Sequence, residues 1–283
     1  MSVSAEQLNT EEVPQTKVQH EATLFAEPIF HLGKFTVTNS LLNSWMAVFV
    51  LVIFFVLISK KMKKIPKGIQ NIFEIILEEG LKLANSITGS RKRSEKFLPI
   101  SLALFLFILV NNWLGLLPGI GTIGFIEAEG ARKVFVPLFR GGTADLNTTL
   151  ALALFAVVAS HVMGAITVGI WDHFNKFVNI KSLLAIPGKV KKDVTIVLVN
   201  PIKAFVGVVE IIGEVAKVAS LSFRLFGNIF AGEVLLASMM ALFAYVLPLP
   251  FIFLEIIVGL IQALIFAMLT LVFMTIATSH EEH

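Results

Sequence analysis

Cysteine is absent from the 283 residues, which excludes disulfides and thiolate metal sites. Charge is scarce: Asp, Glu, Lys and Arg together make up 15% of the chain, while 56% is hydrophobic. A soluble domain carries about 25% charged residues, so the deficit excludes a soluble globular protein and implies one that lives in a bilayer. The net charge of +3 is small. No basic stripe is interleaved with aromatic residues, so nucleic acid is not an expected partner. The six histidines show no metal-ligand spacing, and His280 and His283 lie in a polar tail. There is no P-loop, no glycine-rich nucleotide fingerprint and no nucleophile elbow. No metal, cofactor or catalytic residue is expected, and any nucleotide chemistry belongs to another subunit. No internal repeat is evident, unlike many secondary transporters.

What is present is a series of long apolar runs. A membrane helix needs about 20 such residues. The first is 41–58, followed at once by Lys60, Lys61, Lys63, Lys64 and Lys67. The positive-inside rule puts that end in the cytoplasm and the N-terminus outside. Residues 1–40 read as a polar extracytoplasmic segment, with no basic start or apolar core of a signal peptide. Residues 66–90 place Ile72, Ile75, Ile76 and Leu83 near helical spacing among Glu74, Glu78, Glu79 and Lys82. That is too charged to span and predicts an amphipathic helix on the cytoplasmic surface. Spans follow at 97–117 and 146–171, separated by a partly structured outer loop. Trp45, Trp113 and Trp171 fall near span ends or faces, as interface anchors do.

The region 194–247 is nearly all apolar. As one helix it would be about 80 Å long, against a bilayer of roughly 30 Å. A hairpin near Phe226–Asn228 would need a turn signal, and neither lysine nor proline marks one. The expectation is one long tilted helix over 200–246, running outward and broken by "LPLP" at 247–250. A last span over 251–278 returns inward and leaves the C-terminus in the cytoplasm. The fold class is therefore all-α, with five spans and one surface helix in a membrane domain over 41–283.

Within the long helix lie groups that lipid disfavours, and ionisable residues at membrane depth mark function. At about 100° per residue, Glu210, Lys217, Arg224 and Asn228 form one stripe, with Glu214 some 80° from Arg224 and Glu233 opposite. On the last span, Glu255 and Gln262 share a face. Glu255 falls at the depth of Glu233, and Gln262 at that of Arg224. Asp145 opens the third span on the outer side. The pattern is two offset polar half-paths. One opens outside (Asp145, Glu233, Glu255) and one inside (Glu210, Glu214), with a permanent positive charge between them. Arginine does not lose its proton at working pH, so it blocks leakage rather than relaying. Blander readings stand beside these. Arg224 could be an anchor paired within the chain, Lys217 could snorkel, Glu214 could be solvated at a helix end, Asn228 and Gln262 could be interhelical glue, and Asp145 could be an N-cap.

"SLSFRLFGNIFAGEVLL" at 220–236 closely resembles the hallmark stretch of subunit a of F-type ATP synthases. "NNWLGLLP" at 111–118, "GTADLNTTLALAL" at 142–154, "NPIKAF" at 200–205 and "LIQALIFAMLTLVFM" at 260–274 agree in order. The similarity covers about residues 38–283. It implies a non-catalytic stator subunit whose two long tilted helices pack around a rotating ring of c proteolipids, carrying protons or sodium ions to and from it. By that resemblance Arg224 faces the ring's carboxylate, with Asn228 and Gln262 beside it. Glu233 belongs to the outer path, and Glu255 stands where some members carry histidine. Glu210 and Ser220 border the inner path. Partners would be the c-ring, b-type peripheral-stalk subunits, the other synthase subunits and the lipid of an energy-transducing, bacterial plasma membrane. A self-contained channel or transporter, or a structural membrane anchor, is the competing class.

Overall fold

The structure is a computed structural model. It describes residues 23–61, 68–117, 123–129, 132–171, 173, 195–243 and 246–279. Expectations for residues 1–22, the lysines at 63, 64 and 67, most of the 172–194 loop and His280 and His283 lie outside these.

Among the described residues, five helices are long and apolar enough to cross a membrane. They are α1 (Asn39–Lys61), α3 (Arg91–Gly115), α4 (Leu146–Val168), α5 (Thr195–Leu242) and α6 (Pro248–Thr278). Between the first two lies α2 (Ile69–Thr88), whose Ile72, Ile75 and Leu83 are exposed. It packs on α3 and α6 through its other face. Its charged surface carries the Glu79–Lys82 pair at 2.7 Å, as a surface helix requires. The chain then turns sharply. Gly89 is left-handed, at φ 64°, and its amide bonds Asn85 O. Ser90 begins α3, and the Thr88 and Ser94 hydroxyls meet at 2.6 Å.

Two boundaries differ from expectation, each for a local reason, and the long-helix expectation holds. α3 begins ahead of the expected span at 97–117, with the Arg91–Arg93 run as its first turn, where long side chains can stay in water. The long helix ends at Leu242, a few residues before the expected break at 247–250, and Pro248 and Pro250 sit in the first turn of α6, where a missing N–H costs no helical bond. The region 195–242 is one uninterrupted helix of 48 residues, about 72 Å at 1.5 Å per residue, so no hairpin occurs and the helix outruns a bilayer.

Two antiparallel hairpins were not legible as strands: β1 (Pro28–Leu32) with β2 (Phe35–Thr38), and β3 (Gly124–Glu129) with β4 (Arg132–Pro137). The end of the polar N-terminal segment is thus folded rather than a tail. Both hairpins lie at the end of the bundle away from α2, beside a 3₁₀ turn at Gly142–Ala144.

The core has two centres. One joins Leu104, Ile108, Ala153, Ala156, Leu221, Leu225, Ala263 and Phe266, from α3, α4, α5 and α6. The other, toward α2, joins Ala84, Phe97, Met163, Leu271 and Met274. The small residues on α4 and α6 let backbones approach, which drives association where lipid is as apolar as the side chains.

Candidate functional site

The antiparallel α5–α6 pair positions the polar groups. Leu221 and Leu225 pack with Ala263 and Phe266. Lys217 Nζ lies over the Phe273 ring, 5.2 Å from its centroid. At the other end the Glu255 carboxylate rests on Gly232, where a Cβ would collide with it. These contacts give one register, which brings Gln262 level with Arg224. Gln262 and Glu255 are buried, at 8% and 6% exposure, whereas Arg224 and Asn228 are exposed. Arg224 donates from Nη2 to Ser220 Oγ at 3.5 Å. Among the described residues it has no carboxylate partner. The polar stripe therefore divides: the arginine faces outward from the bundle, and the glutamine and the second carboxylate face in.

At the hairpin end, Glu233 does not turn toward Glu255. It pairs with Arg140, a loop residue that no sequence pattern singles out. The guanidinium donates from Nε to both carboxylate oxygens at 3.0 and 3.1 Å and from Nη2 to Oε2 at 2.9 Å. Its remaining hydrogens reach Thr23 Oγ1, Thr23 O and Phe25 O at 3.0, 2.8 and 3.3 Å. The only advance signal was an arginine five residues before Asp145 in "RGGTAD".

Asp145 is the N-cap of α4 and more. It accepts from Asn147 N, Thr148 Oγ1, Ser40 Oγ and Ala26 N. The N-terminal strand entrance, α1 and α4 thus meet on one carboxylate. Beside it, Thr143 donates to Asn112 Oδ1, and Asn112 Nδ2 donates to Gly259 O at 3.0 Å. Trp113 donates to Ile256 O at 3.1 Å, so this tryptophan ties α3 to α6.

At the α2 end, Glu214 Oε1 accepts from Lys217 Nζ at 2.6 Å. Its Oε2 meets His161 Nε2 of α4 at 3.3 Å. His161 Nδ1 in turn meets His173 Nε2 at 3.2 Å. Sequence spacing did not announce this pair, because its contact depends on a turn. Gly169 at φ 104° ends α4, the His173 amide bonds Gly169 O, and the ring folds back onto Gly164, where no Cβ would fit. Glu210 lies one turn before Glu214 and is half-buried. No group of three His, Asp or Glu among the described residues is arranged to hold a metal.

A bundle of apolar helices that buries carboxylates, amides and imidazoles between its members, and carries an arginine at mid-span, belongs to the integral membrane proteins that move ions. Residues 41–275 match the family model for the ATP synthase A chain. The chain is 33% identical over 249 residues to an ATP synthase subunit a of Syntrophobacter fumaroxidans, covering 88% of this chain and 87% of that one. It is 33% identical over 224 residues to one of Campylobacter jejuni, covering 79% and 83%. The chain belongs to the ATP synthase subunit a family. It is an ion-translocating, non-catalytic subunit of the synthase's membrane sector, and other synthase subunits are its partners.

Proposed function

We propose that Arg224 is the fixed positive barrier between two offset half-paths and that it faces the ion-binding carboxylate of a rotating c-ring. One observation carries this reading: a mid-span arginine, exposed on the side of α5, has no acid to pair with among the described residues. A charge at that depth costs about 2.5–3.5 kcal/mol on insertion scales, and a carboxylate on a neighbouring subunit would offset it. Asn228 shares the exposed face and Gln262 backs it. Glu255, Glu233 and Asp145 border the outer path. Glu210, Glu214, Lys217 and Ser220 border the inner one. Each unit charge crossing 100 mV releases about 2.3 kcal/mol, which the offset between the paths turns into rotation.

The lysine-rich end of α1 and the Arg91–Arg93 turn favour the cytoplasm for the α2 end, with the hairpins and N-terminus outside and the C-terminus inside. The relatives come from Syntrophobacter and Campylobacter, which favours a bacterial plasma membrane. A b-type peripheral stalk would hold the subunit against the torque. Replacing Arg224 with alanine should abolish proton- or sodium-driven ATP synthesis in reconstituted complex while leaving the subunit assembled with its small proteolipid partner. Full coupling in that variant refutes the assignment. Ion flux through this chain reconstituted alone would favour a self-contained channel.

A further inference from the structure

We propose that Asn112 and Trp113 of α3 are positioning residues for ion passage: they fix the rotation and depth of α6 through its own backbone carbonyls, and so hold Glu255 and Gln262 in place against α5. This rests on the reading of Glu255 and Gln262 as part of the path, and extends it to two side chains on a third helix.

Both bonds land on main chain rather than on side chains. Asn112 Nδ2 donates to Gly259 O at 3.0 Å, and Trp113 Nε1 to Ile256 O at 3.1 Å. Successive residues of α3 grip carbonyls three residues apart on α6, in reverse order, as antiparallel helices require. Each carbonyl has a second lone pair beyond the one its own helix uses, so α6 loses no internal bond. The chemistry fixes both donors. An indole nitrogen only donates and a backbone carbonyl only accepts, so the Asn112 amide must turn its nitrogen to Gly259. Its oxygen then faces Thr143 Oγ1, which donates to it from the 3₁₀ turn Gly142–Ala144, just before Asp145. One amide thus joins the turn leading to Asp145 with the middle of α6.

The angles show what is held. Counted from Gly259 at about 100° per residue, Glu255 and Gln262 lie about 40° and 60° to one side, and Ile256 about 60° to the other. The gripped face therefore adjoins the polar face without including it. Apolar contacts set the rotation of α6 less sharply, because lipid is as apolar as the side chains they bury. A turn of α6 by one residue, or a slip of about 1.5 Å, would part both donors from their carbonyls and swing Glu255 off Gly232, on which its carboxylate rests. Glycine makes the approach possible. A Cβ on Gly259 would stand 3.1 Å from Asn112 Cβ and 3.7 Å from Trp113 Cδ1, and one on Gly115, at the end of α3, 3.0 Å from Gly141 Cα.

The test uses the whole complex in liposomes and reads passive conduction of the ion that the wild-type complex conducts, per assembled subunit. Asn112→Leu removes both amide bonds at similar volume, and Trp113→Phe removes one N–H and keeps an aromatic ring. Spin labels on Leu154→Cys of α4 and Leu264→Cys of α6, both exposed, report where α6 sits; the chain has no cysteine of its own, and the other subunits are made cysteine-free. Asn112→Leu should lower conduction at least about tenfold, since a misplacement of about 1 Å can cost about 100-fold, and should shift or broaden the label distance. Trp113→Phe should do both to a smaller degree, and decides the matter if Asn112→Leu does not assemble. Mere fastening would lower the amount of assembled complex but not the conduction of what assembles. Conduction within about twofold of wild type in the assembled variants, or lost conduction at an unchanged label distance, therefore overturns the positioning role. Glu255→Gln and Gln262→Leu run alongside separate the two claims. If they block conduction while the α3 variants conduct normally, only the positioning fails. If they conduct normally, the path reading fails and the proposal falls with it.

Discussion

Arg140 and Glu233 permit a quantitative test, since they join two parts of the chain that sequence separates by 93 residues. The arginine side chain is 4% exposed and the glutamate 29%. Truncating one partner of a buried ion pair costs about 3–5 kcal/mol, because the other charge is left uncompensated. Arg140→Gln should fall below that range, at about 2–3 kcal/mol, because the partly exposed Glu233 can still reach water. It also strips donors from the carbonyls of Thr23 and Phe25. Glu233→Gln should cost about 3–5 kcal/mol, since the guanidinium has little access to water. The double variant removes both charges and so should cost about 1.5–3 kcal/mol less than the sum. The assay is denaturant-induced loss of the subunit from detergent-solubilised complex, run as a double-mutant cycle. Proteolysis near Thr23–Glu27 should rise in Arg140→Gln but hardly in Glu233→Gln, because only the first releases the N-terminal segment. Additive costs within about 0.5 kcal/mol, or equal proteolysis in the two variants, would refute the clamp.

Other outcomes follow from single contacts. Asp145→Ala should cost about 2 kcal/mol, about 1 for the lost cap and the rest for Ser40 and Ala26, read as a lower dissociation midpoint; Asp145→Asn should recover part of it. Gly232→Ala drives a Cβ into the Glu255 carboxylate, so proton conduction from the outer side should drop several-fold while assembly persists, and wild-type conduction would show that Glu255 carries nothing. Gly142→Ala meets Asn111 Oδ1 and Ser44 Oγ in a tightly packed corner and should cost about 1–3 kcal/mol, measured by the same dissociation assay.

Much of the architecture was legible because the bilayer is a severe solvent. Every backbone polar group at depth must be paired within its own helix, so an apolar run of sufficient length announces itself, and the five spans follow. The ends were less legible. Lysine and arginine stems can remain in the first helical turn, as at Arg91–Arg93, and proline can begin a helix as readily as stop one, as at Pro248. The hairpins were hard to read because their strands are short; the one turn signal for β1–β2 is Gly33, at φ 64°, opening a two-residue turn between Leu32 and Phe35. The polar stripe on α5 could be sorted by angle alone, since one helix keeps its own period. What angle could not supply was the partner. Glu233 and Glu255 fall at one depth by sequence, which left open whether they meet, and nothing in the pattern marked Arg140 as the partner of Glu233. His161 and His173 show no ligand spacing and meet only because Gly169 turns the chain back.

These contacts give the carboxylates unequal freedom, and the inequality bears on direction. Asp145 is held by four donors and Glu233 by a guanidinium that also grips the N-terminal segment. Taking up a proton at either would break several bonds at once. Glu255 is buried against the glycine that precedes Glu233, so it is the outer carboxylate whose protonation disturbs least. On the proposed outer path Glu255 is thus the carboxylate left nearest the arginine, on the same helix as Gln262 and level with Gly232, two turns along α5 from Arg224. In the role proposed for it, the arginine, exposed and without a carboxylate partner among the described residues, would repel a cation approaching along α5 and attract an anionic carboxylate arriving from outside the subunit. Both effects act at the same depth. In that proposal, the charge that closes the direct route also recruits the carrier for the indirect one.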